Sequence, residues 1–209
     1  MRIRHHVNPL HAQYLQTGAG PVSLPEAGEV EVELGCADAL FLFERAAAHR
    51  AAGRNVACVG VEIRRDLVED VNQRAAEAGL EKLSAVFANI NVDLDALFPD
   101  GRLARVFINF PDPWFKRRHQ KRRVMTEEVA ATLHRKLAPG GHLFFQSDVF
   151  DLALDAMAAI ESTDLFTNAR GEPWSFLGEN PFGAKSLREV RCAERGMAIW
   201  RMLYRRERE

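Results

Sequence analysis

The sequence predicts an α/β protein whose mostly parallel sheet is flanked by helices on both faces. Strand-like apolar runs and segments of helical spacing alternate from residue 30 to residue 160. Three of the four helical segments end at glycine or at Pro-Gly. Two further strand candidates near the C-terminus bring the strands to seven.

Residues 1–29 read as an irregular arm, with Pro9, Pro21 and Pro25, glycines at 18, 20 and 28, and one short helical turn near 11–15. Residues 30–209 form a single domain. VEVEL (30–34) alternates and runs into Gly35, a strand meeting a turn. Asp38 is the expected N-cap of a helix over 39–52 that stops at Gly53. VACVGVEI (56–63) is a continuous apolar strand that reaches Glu62. Helical spacing of Leu67, Val68, Val71, Ala75 and Ala78 gives a helix over 66–78, stopped at Gly79. KLSAVFAN (82–89) and LARVFINF (103–110) are the third and fourth strands. Thr126, followed by Glu127 and Glu128, starts a helix that runs to about Leu137. HLFFQS (142–147) is the fifth strand, and 151–160 is helical. Strands at 166–169 and 197–204 flank a Gly- and Pro-rich stretch, 171–184.

A chain of 209 residues can bury roughly 70% of its unfolded surface and needs no disulfides to hold a core. With 47% hydrophobic and 27% charged residues, the composition excludes disordered and collagen-like classes. Apolar stretches are broken by charge too soon for a transmembrane helix, and no apolar segment of signal-peptide type follows the basic start. Cys36, Cys58 and Cys192 are too few and too scattered for a disulfide framework or a zinc site, so a reduced, cytoplasmic setting and no metal are expected. Lys and Arg total 28 against 29 acids, yet KRRHQKRR (116–123) places six of the cations in eight residues. Such a patch on a near-neutral protein suits one face for a polyanion.

Ligands of open α/β sheets bind at the carboxyl ends of the strands. Those ends carry Glu33 and Gly35, Glu62, Asn89 and Asp112. Three acids and an amide suit hydroxyls and amines better than a pyrophosphate. Glu62 can accept both hydroxyls of a ribose, Glu33 can face a positive centre or an amine, and Asn89 can meet an adenine edge. Together they suggest S-adenosylmethionine. Any one alone reads equally as a solvated carboxylate or an ordinary strand–turn–helix joint. In ELGCADALF only Gly35 is glycine; Ala37 and Ala39 stand where a full loop would have two more.

Residues 105–125 read RVFINFPDPWFKRRHQKRRVM. Asn109-Phe110-Pro111-Asp112-Pro113-Trp114, then Lys116, His119 and Lys121-Arg122-Arg123, resemble the bacterial tRNA (guanine-N7)-methyltransferase family at matching spacing. Arg2-x-Arg4-His5, LAPGGHLFFQSD (137–148), and Ser186-Leu187-Arg188-Glu189 with Arg191 and Gly196 extend the resemblance over essentially the whole chain. The family usually has threonine where Ser186 stands and its full glycine set where Ala37 and Ala39 stand. The resemblance implies a Rossmann-like class I methyltransferase fold and methyl transfer from S-adenosylmethionine to N7 of a guanosine in the variable loop of tRNA. It implies cofactor contacts at Glu33, Gly35, Glu62, Asn89 and Asp112, and substrate contacts at Lys116, Asp148, Ser186 and Glu189.

Guanine N7 is an exposed in-plane lone pair and needs no base before attack. Asp112 is the candidate catalytic carboxylate: it can hold the base edge and offset the positive charge that develops on the purine. Trp114 can stack on a base, wall the pocket or fill core. Asp148, taken alone, reads as a helix N-cap. Arg117, Arg118, Lys121, Arg122 and Arg123 are the expected phosphate contacts, and tRNA the expected partner. The oligomeric state is open between monomer and homodimer. The alternatives are a non-catalytic RNA-binding relative, motivated by Ala37 and Ala39, and a small-molecule methyltransferase, which makes no use of the basic run.

Overall fold

A computed structural model describes residues 7–15, 17–115 and 122–207. Seven strands form one sheet: β1 (Glu29–Leu34), β2 (Val56–Glu62), β3 (Leu83–Phe87), β4 (Leu103–Asn109), β5 (Leu137–Ser147), β6 (Phe166–Asn168) and β7 (Trp200–Arg206). Six helices connect them: α1 (Leu40–Ala51), α2 (Arg65–Glu77), α3 (Ile90–Leu97), α4 (Glu127–Lys136), α5 (Phe150–Glu161) and α6 (Leu187–Glu194). A 3₁₀ turn, Ala12–Tyr14, lies in the arm. The order across the sheet is β3-β2-β1-β4-β5-β7-β6. β1 to β5 run parallel, and β7 is antiparallel to both β5 and β6. The order reverses between β1 and β4, so the ligand crevice is expected at their carboxyl ends.

The alternation in β1 divides the core between the two faces. Val30, Val32 and Leu34 join the buried side chains of α3, α4 and α5. The opposite face packs Phe107 and Phe144 against Phe41, Leu42 and Ala46 of α1 and Val68, Val71 and Ala75 of α2. On this second face β1 presents Glu31 and Glu33, both almost fully buried. Glu31 is met by Arg45 through two hydrogen bonds, by His49 Nε2 at 3.1 Å and by Arg105 Nη1 at 3.0 Å. Glu31, His49 and Cys58 bring potential ligand atoms within 4.8 Å of one another. The two guanidiniums on the same carboxylate already supply the positive charge there.

Both unanticipated helices are short. Asn89 caps α3 by accepting the Asn91 N–H at 3.1 Å, and eight residues are too few for a clear period. Ser186 caps α6 by accepting the Glu189 N–H at 3.2 Å; Ser-x-x-Glu is the start of a capping box, a signal visible in the sequence. β5 begins at Leu137, directly after α4, five residues earlier than its apolar run indicates. β7 begins at Trp200 rather than 197. The cap of α1 is Ala39 in the left-handed region, while Asp38 accepts the Leu40 N–H at 3.2 Å. No described helix is long and apolar enough to cross a membrane.

Glu31 holds its proton less tightly than an ordinary carboxyl. Burial opposes this, but the Arg45 hydrogen bonds and charge, then His49, outweigh it. Its contribution to stability is therefore present above the ordinary carboxylate range and lost as pH falls through the depressed value. Glu31→Ala leaves Arg45 and His49 buried without their partner, and is expected to lose about 3–5 kcal/mol at neutral pH in urea denaturation. A loss below about 1 kcal/mol would show that the network is not a keystone.

Candidate active site

The carboxyl ends of β1, β2, β4 and β5 converge on one edge, and the connections there are built from unusual backbone. Gly35 takes φ +77°, and its N–H and that of Cys36 donate to the Val61 carbonyl at 2.8 and 3.2 Å. Ala37 and Ala39 follow at φ +52° and +55°. The alanines thus adopt the left-handed conformation that glycine favours, at about 1–2 kcal/mol each. Gly60 of β2 is required by packing, since a Cβ there would lie 2.5 Å from Cys36 Sγ.

Glu33 ends β1 and is 2% exposed. Its Oε1 accepts from Asn109 Nδ2 at 2.7 Å, while its Oε2 has no hydrogen-bond partner among the described residues. Burial foremost pushes this carboxyl up to about 8; the Asn109 hydrogen bond opposes the shift, and the charges of Asp38 and Glu62 add to it. A buried acceptor without a donor, beside a left-handed turn, fits a ligand that brings a cationic or N–H group.

Glu62 ends β2, buried, as expected of a ligand acid. In the structure its oxygens already accept from Ala37 N at 2.9 Å, from Ile63 N and Arg64 N at 3.0 Å, and from the Arg64 guanidinium at 2.9 and 3.1 Å. Five donors fill a carboxylate. Asn89 likewise stands at the end of β3, but its amide is committed: Nδ2 donates to the carbonyls of Pro9 and Tyr14 at 2.8 and 2.9 Å. That ties the arm to the site, and Thr17 adds a 2.6 Å hydrogen bond to Asp93. The amide expected to meet an adenine edge is thus bonded to the arm in this structure.

The 109–115 segment leaves β4 through Phe110 at φ +50°, its N–H donating to the Gln146 carbonyl at 2.8 Å, and passes Asp112, half-buried, to Trp114 at φ +44°. Asp112 acts electrostatically on Arg64, which relates it to the end of β2. The Arg122 guanidinium lies 4.9 Å from the Trp114 ring centroid. Arg123, expected to meet phosphate, is instead buried: its Nε donates to the Pro113 carbonyl at 3.0 Å and it pairs with Asp155, so it anchors the loop. Lys116, Arg117, Arg118, His119 and Lys121 lie outside the described residues.

Asp148 follows β5. It does not cap α5, whose N-cap is Val149 without a side-chain bond; its carboxylate pairs with Arg188 of α6. Glu189, one residue on, is 2% exposed and accepts from Gln146 Nε2 at 2.9 Å, from Arg201 Nη2 at 3.0 Å and from Asn180 Nδ2 at 3.0 Å. Asp148 is thus drawn by α6 to one wall with Ser186 and Glu189, which lie about forty residues later in sequence. Asn109, Gln146, Arg64 and Arg188 are site residues that the sequence reading missed. Asn109 could have been found from its place at a strand end; the others carry no local signal.

A family model described as "Putative methyltransferase" matches residues 27–202. The chain is 37% identical to the tRNA (guanine-N(7)-)-methyltransferase of Synechocystis sp., covering 99% of this chain and 98% of that one. It is 39% identical to the protein of the same name from a Synechococcus strain, over 96% of this chain and 84% of that one. Among solved structures it is similar to the aminoglycoside resistance methyltransferase NpmB1, with TM-score 0.57 and 18% identity over 85% of this chain and 87% of that one. It is also similar to a geranyl diphosphate methyltransferase in complex with GPP and sinefungin, with TM-score 0.54 and 17% identity over 94% and 76%. At these identities the two structures show the fold.

A carboxyl that binds its proton more tightly folded than unfolded costs stability as pH rises. For Glu33 that loss runs from about 4.5 up through about 8. Glu33→Gln stays neutral throughout. Melting curves of the ligand-free proteins are expected to converge near the acid end of this window and to separate above neutrality, with the variant higher. Parallel pH profiles would remove the assigned burial of charge at Glu33. Ala37→Gly tests the turn: relief of the left-handed strain makes it neutral or stabilising by up to about 1 kcal/mol, where an ordinary Ala→Gly change destabilises.

Proposed function

The chain belongs to the tRNA (guanine-N(7)-)-methyltransferase family, and on that footing we propose that it transfers a methyl group from S-adenosylmethionine to N7 of a guanosine in the variable loop of tRNA. The observation that carries the reading to this chain is the left-handed turn at Gly35, Ala37 and Ala39 beside Glu33, whose buried Oε2 awaits a donor. The turn keeps its shape although two of its positions are alanine.

The cofactor supplies an electrophilic methyl group on a positively charged sulfur. In this reading Glu33 faces the positive or amine end of the ligand. Gly35 lets the backbone approach, and Glu62 accepts the ribose hydroxyls in exchange for the Arg64 guanidinium. Asn89 borders the adenine end, where the arm carbonyls now hold its amide. Asp112 borders both ligands. Its carboxylate holds the guanine edge and offsets the positive charge left on the purine once N7 has formed its bond to carbon. Because N7 attacks without deprotonation, the chain's task is orientation, which can supply about 7–11 kcal/mol. Lys116, Asp148, Ser186 and Glu189 hold the guanosine and its neighbours. Arg117, Arg118, Lys121 and Arg122 meet phosphates, each neutralised contact steepening the salt dependence by about 0.7–0.9.

Residues 1–29 serve as an arm and 30–209 as one methyltransferase domain. The three thiols are free and buried, which suits a cytoplasmic setting.

The direct test is incubation with methyl-labelled S-adenosylmethionine and tRNA lacking N7-methylguanosine, followed by digestion. Label is expected in N7-methylguanosine. An unlabelled digest beside an active control enzyme would overturn the reading. A cofactor titration would then separate an RNA-binding relative without cofactor from a methyltransferase with another substrate. Asp112→Ala is expected to lower turnover by about 10²–10³-fold. It should spare cofactor affinity more than Glu62→Ala does. Near-normal turnover would remove Asp112 from the chemistry.

A further inference from the structure

A line of buried polar side chains crosses the sheet from the cofactor end to the guanosine end. Glu33 stands on β1, Asn109 on β4, Gln146 on β5 and Arg201 on β7. The register sets Asn109 against Gln146 and Gln146 against Arg201, and pairs Glu33 with Phe107, two residues before Asn109 on the same face. Asn109 Nδ2 donates to Glu33 Oε1 at 2.7 Å. Gln146 Nε2 donates both to Asn109 Oδ1 and to Glu189 Oε2, each at 2.9 Å. Gln146 Oε1 accepts from Arg201 Nε at 3.2 Å, and Arg201 Nη2 closes on Glu189 Oε1 at 3.0 Å. Gln146 is fully buried.

The direction of this line is forced. Ionised carboxylates only accept and guanidinium only donates. Arg201 and Glu189 therefore fix which way the Gln146 amide points. Gln146 in turn fixes Asn109, so a donor is always turned toward Glu33. A flipped amide at either position would set oxygen against oxygen or N–H against N–H. A β5 side chain needed only for packing would be apolar, as its neighbours Phe144 and Phe145 are. Burying an amide instead is justified by its bonds, and such chains polarise one another cooperatively. The unpartnered atom at the Glu33 end is Oε2.

We propose that Gln146 is a positioning residue that couples the two ligand sites, so that occupancy beside Glu33 and the set of the Glu189 carboxylate are energetically linked through Asn109 and Gln146. The proposal rests on the assignment of Glu33 to cofactor and Glu189 to guanosine made above. A cationic group against Glu33 favours its ionised form, with the charge drawn toward Oε2, and so changes the demand on Asn109. That change passes through Gln146 to the buried Glu189 carboxylate in the wall of the guanosine site. Linkage makes the effect reciprocal.

The test measures S-adenosylhomocysteine binding to the full chain by calorimetry, with and without saturating unmodified tRNA. In the unaltered protein tRNA is expected to tighten S-adenosylhomocysteine by about 5-fold or more, and in Gln146→Met by less than about 2-fold, each against the same protein's affinity without RNA. Gln146→Met conserves volume and leaves the Arg201–Glu189 pair and the Asn180 contact in place, so the wall itself stays closed. Asn109→Ser cuts the same line at its other end and should also abolish the linkage. Absence of linkage in the unaltered protein overturns the proposal whatever the variants do, and so does a linkage that survives in either folded variant. A protein that binds neither S-adenosylhomocysteine nor tRNA overturns the underlying functional reading instead.

Discussion

The structure turns on two carboxylates buried on one face of its central strand. β1 alternates glutamate with valine, and two of its three glutamates, Glu31 and Glu33, point into packed core, while Glu29 at the strand's start is exposed. Charge in that position is tolerated only with partners. Glu31 draws in Arg45 and His49 from α1 and Arg105 from β4, and so ties α1 to the sheet centre. Arg45 also donates to the Phe182 carbonyl at 3.0 Å and lies 5.5 Å from the Phe182 ring. The 178–184 loop is thereby held over the same face. Asn180 in that loop then reaches Glu189. One strand's buried acid thus organises the wall on the far side of the site.

Glu33 is the complementary case. It lies two residues on, on the same face, and among the described residues no guanidinium meets it. Its one described partner is the neutral amide of Asn109. One carboxylate is neutralised within the fold, and the other keeps an oxygen with no hydrogen-bond partner among the described residues. Strain gathers at the same edge. Ala37, Ala39, Phe110 and Trp114 all hold positive φ in the two connections that border the crevice. Backbone of this kind persists where surrounding contacts overdetermine it, as the Phe110–Gln146 and Arg123–Pro113 hydrogen bonds do here.

Two of the residues proposed to meet the cofactor are engaged within the chain. Arg64 covers Glu62, and the arm carbonyls take the amide of Asn89. These contacts satisfy groups that would otherwise be buried without partners, at places where a ribose and an adenine would supply equivalent donors and acceptors.

The sequence by itself determined the order of the seven strands and of the four longer helices, because period and glycine stops are local. It also determined which acids stand at strand ends, because a strand's end follows from its apolar run, and it marked the Asn-Phe-Pro-Asp-Pro-Trp segment as the point of family resemblance. The short helices α3 and α6 escaped the periodicity, and their caps were the legible trace: Ser186-x-x-Glu189 is a helix start. Tertiary structure decided how these side chains are used. Arg123 belongs to a basic run yet turns inward to Asp155. Glu189 follows a capping serine yet leaves the helix start for Gln146 and Arg201. Neither Asn109 nor Gln146 has a local pattern that marks it as part of one polar line. The physical reason is common to them all: a hydrogen bond between side chains dozens of residues apart is set by strand register and burial, which exist only once the sheet has formed.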